Sequence, residues 1–272
     1  MAASIEEKRE HLKRIISEMT GCVIGFSGGV DSTLLFAVAR GVLGDRAIAV
    51  TITSEVHPDW ELREARESAE RIGGRHRILP AKALGIPGLA ENPENRCYIC
   101  KKAIASRLWK VAEEEGVPYV LDGGNLDDRF DYRPGRQAAI EAGIRSPLDE
   151  AGLTKADIRR LSREMGLSTW DKPSNACLIS RFPYGVHLTP EKLRKVALAE
   201  DFLREMGLRT VRVRFHDDLA RLELAEEEYG RVAHDLRQAV VEKVKEAGFS
   251  YVTLDLQGYR TGAMNELLKK TG

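Results

Sequence analysis

Ser27-Gly28-Gly29-Val30-Asp31-Ser32 stands between an apolar run, Cys22-Val23-Ile24-Gly25-Phe26, and a helix-like run, Thr33-Leu34-Leu35-Phe36-Ala37-Val38-Ala39. A strand that ends in a paired-glycine loop and restarts as a helix builds a cradle for phosphate. Glycine adopts φ > 0 and lets an anion approach the backbone closely. The N–H groups at the helix start point at that anion. Ser27 and Ser32 add hydroxyl donors, and Asp31 suits a Mg²⁺ carried by the phosphates. The loop is not a Walker A sequence, which sets Gly-Lys-Ser/Thr after a longer spacer. A plain Ser/Gly turn is the bland alternative. The strand before the loop and the helix after it argue against that.

Outward from this loop, strand and helix patterns alternate. Strands are expected at 22–26, 47–52, 75–80 and 118–122. Helices are expected at 5–19, 32–43, 58–72, 98–115, 136–142 and 154–165. Thr154 with Asp157 reads as a capping box, and Gly166 as a stop. Alternating β and α units predict an α/β fold, a parallel sheet with helices on both faces. Ligands of such sheets sit at the carboxyl ends of the strands, where the Ser/Gly loop falls. The texture changes near Pro183-Tyr184-Gly185. A helix opens at Thr189-Pro190 and runs to about Met206. Short strands at 211–215 and 219–224, a long helix at 226–247 and a strand at 250–256 complete a small α+β unit. The expected division is 1–186 for the nucleotide domain and 187–272 for the C-terminal substrate domain.

Composition bounds the function. The chain has 272 residues, 43% hydrophobic and 31% charged, which suits one large or two modest globular domains. Lys plus Arg and Asp plus Glu number 42 each, so the net charge is zero. A long polyanion such as a nucleic acid usually meets a basic surface, so it is not the expected partner. No apolar run has the length of a membrane span, and the charged N-terminus lacks the apolar centre of a signal peptide. A cytoplasmic protein is expected.

Asp122-Gly123-Gly124-Asn125-Leu126-Asp127-Asp128 follows the strand ending at Leu121 and is continued by Asp131-Tyr132-Arg133-Pro134-Gly135. Glycines for close approach and carboxylates for a cation make it a second strand-end ligand loop, although such clusters are more often turns. Four cysteines in this length are not a disulfide framework. Cys22 lies in the first strand and reads as a small buried hydrophobe. Cys97-Tyr98-Ile99-Cys100 is a CxxC, which serves redox, zinc or iron–sulfur chemistry. Cys177 stands apart. No second CxxC completes a zinc site. Three thiolates can hold a 4Fe–4S cluster with one iron left open.

Here the sequence resembles a known family. The Ser/Gly loop is similar to the signature loop of the N-type ATP pyrophosphatases, of the adenine nucleotide alpha hydrolase-like fold, which cut ATP to AMP and pyrophosphate. Asn95–Lys101, Gly124–Asp128, Lys172-Pro173-Ser174, Ala176–Gly185 and the tail Asp255–Gly262 resemble the LarE-type ATP-dependent sulfur transferases of nickel-pincer nucleotide biosynthesis. The resemblance implies that ATP with Mg²⁺ adenylates a pyridinium carboxylate on a nicotinate-derived mononucleotide. Sulfur then displaces AMP to give a thiocarboxylate, since a carboxylate needs a leaving group before it accepts a nucleophile. It implies ATP contacts from Ser27, Gly28, Gly29, Asp31, Ser32, Asn125, Asp127 and Asp128. It implies substrate-phosphate contacts from Ser180, Arg181, Arg212 and Arg214, and a cation at Glu200 and Glu223. The three cysteines Cys97, Cys100 and Cys177 match members that carry a 4Fe–4S cluster. Other members sacrifice a single cysteine in the place of Cys177, whose carbon–sulfur bond breaks to leave dehydroalanine, and this sequence leaves that route open. Homo-oligomers are implied as well.

Three other functions compete. A tRNA thiolation enzyme shares the loop and a three-cysteine cluster, but usually has Lys where Val30 stands and needs a basic docking surface. An amide-forming ligase of the NAD- or GMP-synthetase kind leaves the cysteines unexplained. A non-catalytic nucleotide-binding module leaves Asp127 and Asp128 unexplained.

Overall fold

A computed structural model describes residues 3–129, 134–208 and 210–260. Asp131-Tyr132-Arg133 of the second loop and Thr261-Gly262 of the tail lie outside them. The chain forms two compact units, Met1–Leu89 with Asn95–Asn175, and Ala90–Glu94 with Ala176–Gly272.

In the first unit, helix α1 (Ile5–Ser17) starts at Ser4, whose hydroxyl and the Glu7 carboxylate form a capping box. There follow β1 (Cys22–Gly25), α2 (Val30–Leu43), β2 (Ala47–Thr53), α3 (Asp59–Ile72), β3 (Arg75–Pro80), α4 (Arg96–Glu114) and β4 (Tyr119–Leu121). Then come α5 (Pro134–Glu141), the short α6 (Pro147–Glu150) and α7 (Lys155–Glu164). The strands make one parallel sheet in the order β3-β2-β1-β4. This is the expected α/β architecture of the N-type ATP pyrophosphatases.

Burial on both faces explains the apolar strands. Cys22 and Ile24 of β1 pack with Leu12 and Ile16 of α1 and with Leu34 and Leu35 of α2. Val23, pointing the other way, packs with Ala105, Leu108 and Val111 of α4. Cys22 is fully buried, and burial pushes its thiol up to about 12. The Thr154–Asp157 capping box opens α7 as expected, and Gly166 follows it at φ 68°.

The strand order decides where a ligand can go. From β1 the chain steps to β2 and β3 on one side, then returns to place β4 on the other. Connections leaving β1 and β4 therefore diverge, and the crevice between them opens at their carboxyl ends. The Ser/Gly loop follows β1, and the Asp122 loop follows β4.

The second unit holds α8 (Pro190–Glu205), β5 (Val211–His216), β6 (Leu219–Leu224), α9 (Arg237–Glu246) and β7 (Tyr251–Leu254). Its sheet runs β5-β6-β7, with β5 antiparallel and β7 parallel to β6. Thr189 caps α8 and Pro190 occupies its first turn, as expected. Phe182 packs on Phe215 with ring centroids 4.8 Å apart, and Phe215 on Phe249 at 6.1 Å. The units part at Asn175/Ala176, ahead of the division expected at 186/187. Residues 90–94 join the second unit because Asn92 Nδ2 donates to the Pro183 carbonyl at 2.7 Å and Leu188 N to the Ala90 carbonyl at 2.7 Å.

The long helix expected at 226–247 is broken. A 3₁₀ turn at Glu226–Glu228 and a π turn at Arg231–Asp235 precede α9. Gly230 weakens the helix there. Tertiary bonds compete as well: Arg231 donates to the Met206 carbonyl at 2.7 Å, and the Tyr229 hydroxyl to the Asp255 carbonyl at 2.5 Å.

Phe36 of α2 is fully buried against Phe26, at 5.4 Å, and a Cβ on Gly74 would lie 2.4 Å from its ring. Phe36→Ala is expected to destabilise the chain by about 3–5 kcal/mol. A denaturation midpoint equal to wild type would contradict this packing.

Candidate functional site

The Ser/Gly loop is closed by its own hydroxyls. Ser27 Oγ lies 3.2 Å from Ser32 Oγ, and accepts from Gly29 N at 3.3 Å. Ser32 Oγ donates to the Gly29 carbonyl at 3.2 Å. Gly29 caps α2 with no side-chain bond to the first turn, so the first-turn amides are left to an anion. Gly28 sits at φ 66°, and a Cβ there would come 2.7 Å from the Ala65 backbone of α3. Only glycine meets both demands.

The second loop closes on the first. A Cβ on Gly123 would lie 3.0 Å from Ser32 N and 3.1 Å from Asp31 Cβ. A Cβ on Gly124 would lie 2.9 Å from Ser146 Oγ. Asn125 Nδ2 reaches Asp31 Oδ1 at 3.4 Å. Asn125 Oδ1 accepts from Asp127 N at 3.0 Å, and Asp128 Oδ2 accepts from Asn125 N at 3.1 Å. Asp31, Asn125, Asp127 and Asp128 are thus brought into one corner of the first unit.

Three lysines surround that corner. Lys155 Nζ pairs with Asp31 Oδ2, and Lys155 N donates to Asp127 Oδ2 at 2.8 Å. Lys172 Nζ donates to the Gly28 carbonyl at 2.9 Å and pairs with Glu64 at 2.6 Å. Lys101 Nζ pairs with Asp122 at 2.7 Å. Burial alone would raise the Asp122 carboxyl, but Lys101, the Ser146 hydroxyl and Gly124 N outweigh it and hold it below the usual range. Lys101 also lines a cavity of about 200 Å³ with Gly25, Phe26, Ser27, Thr51 and His57. A larger cavity, about 310 Å³, lies among α2, α3 and residues 165–168 and contains none of the expected site residues.

Cys97 and Cys100 occupy the first turns of α4, three residues apart and so on one face. Cys97 is exposed and Cys100 half-buried. Among the described residues no three His, Cys, Asp or Glu side chains stand grouped as a metal site.

In the second unit, Cys177 is half-buried at the head of a 3₁₀ turn, Leu178–Arg181. Arg181 is 1% exposed and grips Glu200 with two nitrogens, each at 2.8 Å. Arg214 NH2 meets Glu223 at 2.6 Å, and its NH1 donates to the Ser180 carbonyl at 2.7 Å. Glu200 and Glu223, expected as cation ligands, have their carboxylates engaged by arginine here. Arg212 and Arg214 share one face of β5, as the alternation predicts, but they are buried rather than solvated. Burial, and then Arg181 nearby, pull the Arg212 guanidinium below its usual value. The Tyr259 ring lies 5.1 Å from it.

A family model described as asparagine synthase matches residues 18–119. A Lactiplantibacillus plantarum protein, pyridinium-3,5-bisthiocarboxylic acid mononucleotide synthase, is 40% identical over 269 residues. The match spans 98% of this chain and 97% of that protein. The chain belongs to the LarE-type family of ATP-dependent sulfur transferases. An uncharacterized Synechocystis protein is 44% identical over 98% of this chain and 100% of its own length. A Methanocaldococcus jannaschii protein, also uncharacterized, is 30% identical over 88% of this chain and 90% of itself.

Sequence reading did not single out Lys101, Lys155 or Lys172 as individual site residues of this LarE-type chain. A lone lysine carries no local signal. The neighbours that could have marked them are Cys100, the Thr154 cap and Pro173.

Two part-buried histidines lie on β3 and just past β2. His76 Nε2 lies 2.8 Å from Thr51 Oγ1, which donates to the Phe26 carbonyl at 2.7 Å, and His57 Nδ1 lies 3.2 Å from Ser54 Oγ. Burial is the first cause that lowers both imidazoles from 6.5, and Arg66 adds to it at His76. Their folded values lie below the unfolded ones, so the unfolded chain binds more protons. Their contribution is present above pH 6.5 and is lost as pH falls through it toward the folded values. The melting temperature is expected to drop between about pH 8 and about pH 5.5, and His76→Gln to flatten that slope. An unchanged slope in the variant would remove His76 from this account.

Proposed function

We propose that this chain adenylates a pyridinium carboxylate of a nicotinate-derived mononucleotide and converts it to a thiocarboxylate. The observation that carries the reading is the meeting of the two strand-end loops at Asp31 and Asn125. The first-turn amides of α2, Ser27 and Ser32 receive the ATP phosphates. Asp31, Asp127 and Asp128 are hard oxygen donors of the kind Mg²⁺ takes. Lys155 and Lys172 add positive charge for the departing pyrophosphate. The cavity beside Phe26 and Thr51 suits the nucleoside.

The substrate carboxylate oxygen attacks the α-phosphorus, and pyrophosphate leaves. Sulfur then attacks the carboxyl carbon, and AMP leaves. Ser180, Arg212 and Arg214 are the candidates for the substrate phosphate. Burial first, and then the positive charge of Arg181, pull Arg212 down, and an anion relieves the second of these.

Cys97, Cys100 and Cys177 are our candidates to hold a 4Fe–4S cluster. Their thiol chemistry fits: Cys97 and Cys100 share a helix face, and none of the three is sealed in the core as Cys22 is. Such a cluster, when bound, supplies an open iron that can carry a sulfide for transfer. A second reading is favoured by the anchored turn at Cys177. There the Cys177 sulfur itself attacks, the Cα proton is removed, and the Cβ–S bond breaks. The product keeps the sulfur, and the residue becomes dehydroalanine.

An anaerobic assay with ATP, Mg²⁺ and the biscarboxylated pyridinium mononucleotide is expected to yield thiocarboxylate by mass spectrometry. Asp31→Ala should abolish AMP release, and unchanged release would remove Asp31 from the Mg²⁺ site. Cys97→Ala and Cys100→Ala should stop transfer in the cluster route. Full transfer in both, with a loss of about 34 Da (one H₂S) at Cys177, would establish the sacrificial route instead.

A further inference from the structure

Arg181 was expected to hold the substrate phosphate. Its guanidinium nitrogens are committed within the protein instead. Nε and NH2 donate to the two carboxylate oxygens of Glu200. NH1 donates to the Ala176 carbonyl at 2.5 Å, the Cys177 carbonyl at 3.1 Å and Ser180 Oγ at 2.9 Å. Those three acceptors belong to the turn that carries Cys177. Glu200 Oε1 also accepts from Val213 N of β5, at 2.9 Å. A continuous polar chain therefore runs from β5 through Glu200 and Arg181 to the Cys177 main chain.

The rest of the turn is held apolarly. Leu178, Ile179 and Phe182 are buried, whereas Ala176 is exposed and Cys177 half-buried. The Cys177 carbonyl takes a second donor, Ser180 N, at 3.0 Å. The backbone beneath the thiol is thus fixed on its carboxyl side, while the thiol keeps access to a reactant.

We propose that Arg181 is a positioning residue for Cys177. Oriented by Glu200, it fixes the turn so that the thiol stands where sulfur must be delivered, and it is not a ligand of the substrate phosphate. Planar, forked donors are required, because one cation serves two carboxylate oxygens and three turn oxygens at once. Lysine keeps the charge and cannot reproduce that geometry. The proposal rests on the reading of Cys177 as a sulfur-bearing residue.

The test is Arg181→Lys in the full-length chain. Sulfur transfer is expected to fall on the order of 10²-fold, as for a misplaced reacting group, with the KM for the mononucleotide within about twofold of wild type. In the full-length chain before any iron reconstitution, the rate and pH profile of iodoacetamide alkylation at Cys177, read by peptide mass, should change. Cys97 and Cys100 in the same molecules should keep theirs. A raised KM with kcat unchanged would make Arg181 a phosphate ligand and overturn the proposal. Wild-type transfer and a wild-type Cys177 profile would overturn it as well. If Arg181→Lys does not fold, Glu200→Gln serves. It keeps the side-chain size and one acceptor oxygen, and the same change at Cys177 is expected; an unaltered profile there overturns the proposal. Failure of the underlying reading looks different. Cys177→Ala would then retain full transfer, while the alkylation result in the Arg181 variant would still report on the turn.

Discussion

After β1 and β4 the backbone is packed tightly at two glycines. Gly28 leans on the backbone of Ala65, and Gly123 on the first-turn amide of Ser32. This contact seats α2 against the second loop, and from it follow the reach of Asn125 to Asp31 and the pairing of Lys155 with the same carboxylate. A Cβ at Gly123 would press on the start of α2, and one at Gly28 on the backbone of α3. The strand order β3-β2-β1-β4 makes the contact possible, because β1 and β4 are hydrogen-bonded neighbours whose connections diverge.

The two compact units handle charge differently. In the first, lysines stand against carboxylates around a partly open corner. In the second, arginines are matched with buried glutamates. Breaking such a pair leaves an uncompensated buried charge, at a cost of roughly 3–5 kcal/mol. A turn tied to Arg181 and Arg214 is therefore stiff. That stiffness suits the role proposed for Cys177, because delivery of a reacting group depends on geometry more than on affinity.

The core and the loops were legible because they rest on local rules. Alternating apolar strands, the Thr154–Asp157 box, the Thr189-Pro190 start and the paired glycines each act within a few residues. The helix expected at 226–247 shows where such rules stop. Its pattern is helical, yet Arg231 and Tyr229 find partners more than twenty positions away in sequence, and those bonds hold the segment in shorter turns. The arginine pairing of Glu200 and Glu223 was not legible for the same reason. A glutamate in a helix or strand carries no mark of the arginine that will engage it.

The sequence alone determined the parallel α/β unit, the paired-glycine loop at Ser27–Ser32 and the acidic loop at Asn125–Asp128. Those features depend on neighbours along the chain, so composition and spacing reveal them. Tertiary structure decided which charges face one another. Only it brought Lys155 to Asp31, Lys172 to Gly28 and Arg181 to both Glu200 and the Cys177 turn. These partners are separated by 124, 144, 19 and 4 positions. All but the last depend on the path of the folded chain, because no spacing rule links residues so far apart; even the short Cys177 contact needs the guanidinium that Glu200 holds in place.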